Sequence, residues 1–491
     1  MTTKQKDNSR IPLGILSPLR IKSVPLFVGF SAAIGPGIIW ASLAQGSGEL
    51  IWWPYLTAKY GAVFIGLLLP AALLQYFVNQ EVVRYTITTG ETFFTGMARI
   101  GKKFSISLWF MMSITFLWFG GYASGSATAL RELFGWPTDP RMGTLLWAYV
   151  IIAIFVGAIF LGRVVYNIIE RFLTAIVIIS VVGLIIAILN YTVLSTANSF
   201  FAAYFNPFNF FAHGFPKNFE PTDLDTLLTS ITFAGLGGFY NVMYSYWVRD
   251  KGISMAKYAG RITSPITGEP ETIPATGFGF KDTKENRRNY RDWIKFMRFD
   301  NLFGVLTNLF TVTLMAWLAW ALLLPKGEYP SGWNLAVVQA TFFENSMGAI
   351  GRAVFLLVAT AFLADSWLAI TDGVARMQSD FFYTTFPSTR RFSFRTLYYV
   401  FIVILTVISA LTIVLAEPGP LIILGGVLNF FAMAVYMPIL IYLNYFMVPK
   451  SLPKWTRPRK ITLVATTLVS LTYLAIAIAY IFVFFSARAF G

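Results

Sequence analysis

Apolar runs of about 20 residues recur along nearly the whole chain, separated by shorter polar and basic stretches. Eleven runs are long enough to cross a membrane as helices: 26–58, 61–84, 104–131, 142–161, 165–194, 224–248, 301–324, 350–376, 397–416, 420–447 and 461–486. This predicts an all-α integral membrane protein. Its expected parts are an inner N-terminal segment (1–25), five spans (26–194), an outer loop (195–223), a sixth span (224–248) and a basic inner loop (249–300). Four further spans (301–447), a short inner loop (448–460) and a last span with its outer C-terminus (461–491) complete it. Residues 1–25 lack the short apolar core and small-residue cleavage site of a removable signal, so the first span is expected to direct insertion.

Composition sharpens the class. Of 491 residues, 56% are hydrophobic and only 12% charged, against about 25% charged in a soluble domain. There is no Cys and a single His, His213. Zinc sites, iron–sulfur clusters and Cys/His or Ser/His/Asp nucleophiles are therefore not expected. No glycine-rich nucleotide loop is present either, so neither an enzyme nor a nucleotide-driven pump is expected, and no cofactor. The formal net charge is +15. With the N-terminus inside, 31 of the 38 Lys and Arg fall on inner segments and 7 on outer ones. That asymmetry predicts a cytoplasmic N-terminus and an extracellular C-terminus, and makes the charge a topology signal rather than a nucleic-acid footprint. The chain is most simply read as a prokaryotic plasma-membrane protein.

Two non-membrane stretches are long. The aromatic outer loop 195–223 is expected to pack on the outer surface. In the inner loop, Trp293, Phe296, Met297 and Phe299 alternate with Arg287, Arg288, Arg291, Lys295 and Arg298. An interfacial helix on anionic lipid is expected there, or a plug over the inner mouth.

Two spans carry helix-breaking clusters. The first reads Gly35-Pro36-Gly37 and then Gln45-Gly46-Ser47-Gly48-Glu49; the sixth reads Gly235-Leu236-Gly237-Gly238-Phe239-Tyr240-Asn241. Glycine costs about 1 kcal/mol relative to alanine inside a helix, and clusters of it invite unwinding. Unwound backbone at membrane depth is tolerated where it lines a cavity or is buried in protein. The two spans open corresponding five-helix halves, which is where transporters place their central site. Close helix packing by small residues is the competing explanation.

A carboxylate at mid-membrane costs about 3 kcal/mol or more. Glu49 stands where a second half-helix would start. With Asn241, Gln45, Ser47 and carbonyls near Leu43 and Gly235, it would make an oxygen-rich cation site beside Gly46 and Gly238. Asp365 is a further candidate. Asp372 and Arg376, four residues apart, are expected to pair, and Glu81 with Arg84 reads equally as gate or structural pair. Trp40, Trp53, Phe239 and Tyr240 could instead wall a site for an organic cation, amine or amino acid. Tyr246 and Trp247 read as interface aromatics.

These motifs resemble the Nramp divalent-metal transporters. The resemblance rests on Gly35-Pro36-Gly37 followed by the glycine-rich acidic break, on Leu73-Leu74-Gln75-Tyr76 in the second span, and on the segment 162–170. It implies a leucine-transporter-like fold of the amino acid–polyamine–cation superfamily: a 5+5 inverted repeat plus one extra helix, with helices 1 and 6 broken. The chain departs from the family at the chemistry. Gly46-Ser47-Gly48-Glu49 stands for Asp-Pro-Gly-Asn, and Gly238-Phe239-Tyr240-Asn241 for Met-Pro-His-Asn. Two third-helix acids fall at about Phe119 and Tyr122, and an eighth-helix amide at Asp365. Without a Met or Cys ligand, a hard ion such as Mg²⁺ (or Mn²⁺) is expected over soft metals, with Gly238 supplying room. Loss of the family's His and acids argues against obligatory proton coupling.

Overall fold

The computed structural model describes residues 10–29, 35–161, 178–263 and 271–489. The segment 162–170 and the Glu170–Arg171 pair lie outside these. The first span divides into α1 (Pro36–Ala44), a π-helical turn (Gly48–Trp52) and α2 (Trp53–Tyr60). The second is α3 (Leu68–Thr89), followed by a short α4 (Phe93–Ile100). The third divides into α5 (Lys102–Thr115) and α6 (Gly120–Phe134), and α7 (Pro140–Leu161) is the fourth. The described part of the fifth is α8 (Ile178–Ile188). The sixth splits into α9 (Asp223–Thr232) and α10 (Phe239–Asp250). Then follow α11 (Lys284–Leu322), α12 (Thr341–Thr385), α13 (Phe394–Thr412), α14 (Pro418–Tyr442) and α15 (Lys460–Ala489). Among the described residues, eight helices are long and apolar enough to cross a membrane. The interrupted first and sixth spans and the partly described fifth stand beside them. The chain is a multi-pass membrane protein.

Small residues set the interior spacing. Along α6, a Cβ at Gly121 would sit 2.9 Å from Leu421 Cβ, and one at Gly120 2.7 Å from Thr412 Oγ1. Lipid tails are as apolar as leucine, so close backbone approach and dispersion hold helices together here. The long α12 runs beside α6 and α13, α11 packs along α3, and α14 packs between α9 and α15. On the outer flank, α15 leaves Leu468, Leu471, Ile478 and Phe482 exposed, as a lipid-facing helix does.

Two expectations change. The amphipathic piece 284–299 is not a separate interfacial helix: it is the first four turns of α11, capped by Thr283, whose side chain accepts from Asn286 N. Trp293, Phe296 and Met297 are buried by protein rather than offered to lipid. Asn286 Oδ1 accepts from Val24 N at 2.9 Å, and Trp293 Nε1 donates to Pro25 O at 2.8 Å. The all-α expectation also has a small exception. β1 (Arg10–Ile11) pairs antiparallel with β2 (Leu19–Ile21), which pairs parallel with β3 (Phe278–Gly279). The N-terminal segment is thereby stitched to the segment between the sixth span and α11.

Candidate functional site

The interruption of the sixth span is built from glycine and paid for by neighbours. Gly237 and Gly238 have φ of +73° and +58°, conformations that side chains disfavour. A Cβ on Gly238 would collide with Asn429. The freed backbone groups find polar partners on two other helices and within the sixth span itself. Asn308 Nδ2 on α11 donates to Ala234 O at 2.8 Å. Asn429 Oδ1 on α14 accepts from Phe239 N at 2.8 Å, and Tyr436 OH donates to Gly238 O at 2.8 Å. Asn241 Oδ1 accepts from Gly237 N at 3.1 Å while its Nδ2 donates to Gln75 Oε1 at 2.8 Å. Unsatisfied backbone groups cost several kcal/mol each in hydrocarbon, which is why amides gather here.

Asn241 thus holds the unwound turn with its side-chain oxygen. One expectation changes. Gly238 supplies no spare room, because Asn429 fills the space beside it.

The first span is interrupted more gently. After α1, Gly46 N donates to Leu43 O at 3.3 Å, and the helix resumes as a π-turn from Gly48. Gly46 lies against Ser366 of α12 and Gly48 against the Phe233 carbonyl, so a side chain at either would collide. Gly235 lies against Gln75, where a Cβ would sit 2.6 Å from Cγ. Glycines here serve both the interruptions and close approach of the two broken spans.

One cavity lies where the interruptions meet. Leu43, Ser47, Gly235 and Tyr240 line it, together with Tyr122 of α6 and Phe233. Ser47 Oγ and Tyr122 OH are 3.1 Å apart, and Tyr240 OH donates to Tyr122 OH at 3.5 Å. Its volume is about 10 Å³, room for about one water. The lining carries hydroxyls, aromatic faces and backbone, but no formal charge.

Other candidates face elsewhere. Glu49 is fully buried and faces Thr311 of α11, whose hydroxyl already donates to Thr307 O and Asn308 O. Its carboxylate oxygens accept no hydrogen bond among the described residues, and the Gln45 amide is likewise without one. Trp40 packs on α11 at Gly304, and Phe239 packs toward Phe116 and Tyr436. Trp53 and Asp365 are fully buried outside the cavity lining. Among the described residues, no group of three or more His, Cys, Asp or Glu stands together as a metal cage.

Charged clusters close both ends. At the basic end, Arg376 Nε donates to Asp372 Oδ1 and Oδ2 at 2.9 and 2.8 Å, and its Nη1 reaches Asp250. Tyr398 OH adds a bond to Asp372 at 2.7 Å. Trp247 and Tyr246 are not interface aromatics: both are buried, donating to Asp372 at 3.4 Å and to Asp380 at 2.9 Å. Arg84 Nε holds Glu81 at 3.1 Å, and Asn444 and Tyr445 hold it from the other side. At the opposite end, Lys59 Nζ lies 2.9 Å from Asp223 and 3.0 Å from Glu220, within reach of the Tyr55, Tyr60 and Tyr329 rings. Tyr60 donates to Asp223. Asn308, Asn429 and Tyr436 were not candidates on sequence. Their signal was a lone amide or phenol inside an apolar span.

No protein-family model matches the chain. An uncharacterised protein of Pasteurella multocida strain Pm70 is 28% identical over 186 residues, covering 38% of this chain and 42% of that one. The match thus spans less than half the length of that curated relative. Among solved structures, an Eremococcus coleocola manganese transporter superposes at TM-score 0.62 with 13% identity, covering 97% of this chain and 92% of the other. Mhp1, a nucleobase-cation-symport-1 family transporter in a closed conformation with bromovinylhydantoin, superposes at 0.52 with 15% identity, covering 99% and 95%. MhsT in complex with L-phenylalanine superposes at 0.52 with 14% identity, covering 92% and 98%. At these identities the likeness establishes the fold, which is leucine-transporter-like.

Proposed function

We propose that this chain is a plasma-membrane secondary transporter working by alternating access, with its N-terminus inside and its substrate held between the interruptions of the first and sixth spans. One observation carries the reading: two broken spans meet around a small cavity of buried residues at Ser47, Tyr122 and Tyr240, with charged clusters toward both ends. Rocking of the halves would open the Lys59–Asp223 side and the Arg376–Asp372 side in turn.

An uncharged lining of hydroxyls and rings suits a small organic solute better than a divalent ion. A bare divalent charge in a neutral, low-dielectric site would forfeit hydration without carboxylates to replace it. Tyr122, Tyr240 and Phe233 would swing apart to admit the solute, since the cavity as it stands holds about one water. Proteoliposome uptake of a panel of amino acids, amines and nucleobases tests this. Uptake of one class, competed within that class and lost in Tyr122→Ala, supports it; no flux for any member sinks it.

A second reading keeps a hard divalent cation such as Mg²⁺ or Mn²⁺ as the substrate, and rests on the buried Glu49 carboxylate without a hydrogen-bond donor. The membrane potential would supply about 4.6 kcal/mol per divalent ion per 100 mV, twice the single-charge value. Saturable Mg²⁺ or Mn²⁺ flux abolished in Glu49→Gln would favour it over the organic solute.

A further inference from the structure

A second cavity, of about 320 Å³, opens at the basic end of the molecule, away from the central site. Its walls are the first turns of α11 and the segment 455–459 that leads into α15; Arg84 of α3 contributes as well. Arg287, Arg291 and Arg298 recur along one face of α11 at helical spacing, and Arg457 and Arg459 face them. Lys295 also lines the wall but is tied to Asp292 at 3.3 Å. No Asp or Glu is among the lining residues.

Such convergence of like charges is unfavourable unless something answers it. Two observations point to an anion. The first is Arg84. Its side chain is buried, its Nε is spent on Glu81, and its Nη2 is buried with no hydrogen-bond partner. A guanidinium nitrogen left so is expensive unless a ligand completes it. The second is the shape of the donor set. Guanidinium forks match phosphate oxygens two by two, and five of the six are exposed or half-exposed and free to close on a guest. Tyr290 and Trp455 line the cavity beside them. The apolar stretches of α11 and α15 begin directly beyond these residues, so the cavity lies at headgroup depth.

We propose that this cavity is a binding site for a phosphate-bearing anion, held by Arg84, Arg287, Arg291, Arg298, Arg457 and Arg459. Its depth matches the phosphate of an anionic lipid headgroup; a free phosphate anion would use the same forks. Bound there, the anion ties α3, α11 and the approach to α15 together and stabilises the full chain. The site is independent of what the central cavity carries.

The test follows thermal unfolding of the purified full chain in neutral detergent, read by tryptophan fluorescence. Dioctanoyl phosphatidylglycerol, dioctanoyl phosphatidylcholine and sodium phosphate are titrated in turn. A saturable rise in midpoint with phosphatidylglycerol but not phosphatidylcholine is expected. In Arg287→Gln/Arg291→Gln the apparent affinity falls at least about tenfold, since two charge-assisted donors to the anion are lost. Lys102→Gln/Lys103→Gln, which removes two exposed charges outside the cavity, leaves the affinity unchanged. If sodium phosphate alone produces the same arginine-dependent shift and competes with the lipid, the natural guest is the free anion; if it does not, the guest is the headgroup. No shift with either probe overturns the proposal, as does a shift that both double variants weaken equally. Both arginines in the test variant are exposed, so folding is not at stake.

Discussion

Ser47 on the first span and Tyr122 on the third face each other across the central cavity, with their hydroxyl oxygens 3.1 Å apart. This contact joins the first broken span to α6 at the point where Tyr240 arrives from the sixth. Tyr122→Phe removes the shared hydroxyl but keeps the ring. Uptake affinity is expected to fall about fivefold, the equivalent of about 1 kcal/mol, with expression and melting nearly unchanged. Concentration-dependent uptake in proteoliposomes measures it.

The closure at the Lys59 end should be separable from the site. The Lys59 ammonium sits among three tyrosine rings and two carboxylates, linking α2 to the start of α9. Lys59→Met leaves buried Asp223 without its cation and favours opening on that side. The chain contains no Cys, so a single introduced thiol reports access. Labelling of Ser47→Cys by an impermeant maleimide is expected to rise several-fold when Lys59→Met is added. Equal labelling rates would show that the cluster does not hold the closed state.

At the opposite end, Asp372 and Arg376 are both fully buried, and Arg376 also reaches Asp250. Breaking such a pair leaves a buried charge uncompensated, at about 3–5 kcal/mol. Asp372→Leu should therefore lower the thermal midpoint sharply. The double variant Asp372→Leu/Arg376→Leu should recover part of that loss, because no orphan charge on α12 remains. Melting curves of the single and double variants in detergent decide this.

The interruption of the sixth span depends on Asn429, which accepts from Phe239 N and donates to Gly425 O at 2.9 Å. Asn429→Leu strands a buried amide and is expected to cost about 1–3 kcal/mol. Gly238→Ala adds a collision to a positive φ and should be the more damaging. Folded yield by size-exclusion chromatography ranks the two; a tolerated Gly238→Ala would refute the packing described here.

Glu49 separates the two substrate readings. Its carboxylate lies outside the cavity lining, so Glu49→Gln is expected to leave organic-solute affinity essentially intact while altering any dependence on a co-transported cation. Uptake assays across Na⁺ and pH gradients read both quantities. Lost solute binding would put Glu49 in the site itself.

Much was legible along the chain. Glycine clusters marked both interruptions, because glycine alone reaches positive φ at Gly237 and Gly238 without strain. The four-residue spacing of Asp372 and Arg376 foretold their pair, a local contact on one helix. The amphipathic pattern at 284–299 reads as a separate interfacial helix, whereas it is the start of α11. The helix continues there because the N-terminal segment covers its apolar face through Val24 and Pro25. Asn308 and Asn429 were passed over because their partners lie in the distant sixth span.

Hydropathy and residue spacing, properties of one dimension, thus determined the membrane class, the broken spans and the local ion pairs. Which side chain meets the site was decided only when the helices packed. Ser47 and Glu49, two residues apart at the start of the π-turn, point to nearly opposite sides of the helix axis. Packing of the first span against α6 and the sixth turned Ser47 into the cavity, and the same rotation carried Glu49 away toward Thr311. Spacing alone names both residues as neighbours of the interruption, but rotation about the helix axis is set by contacts with other spans.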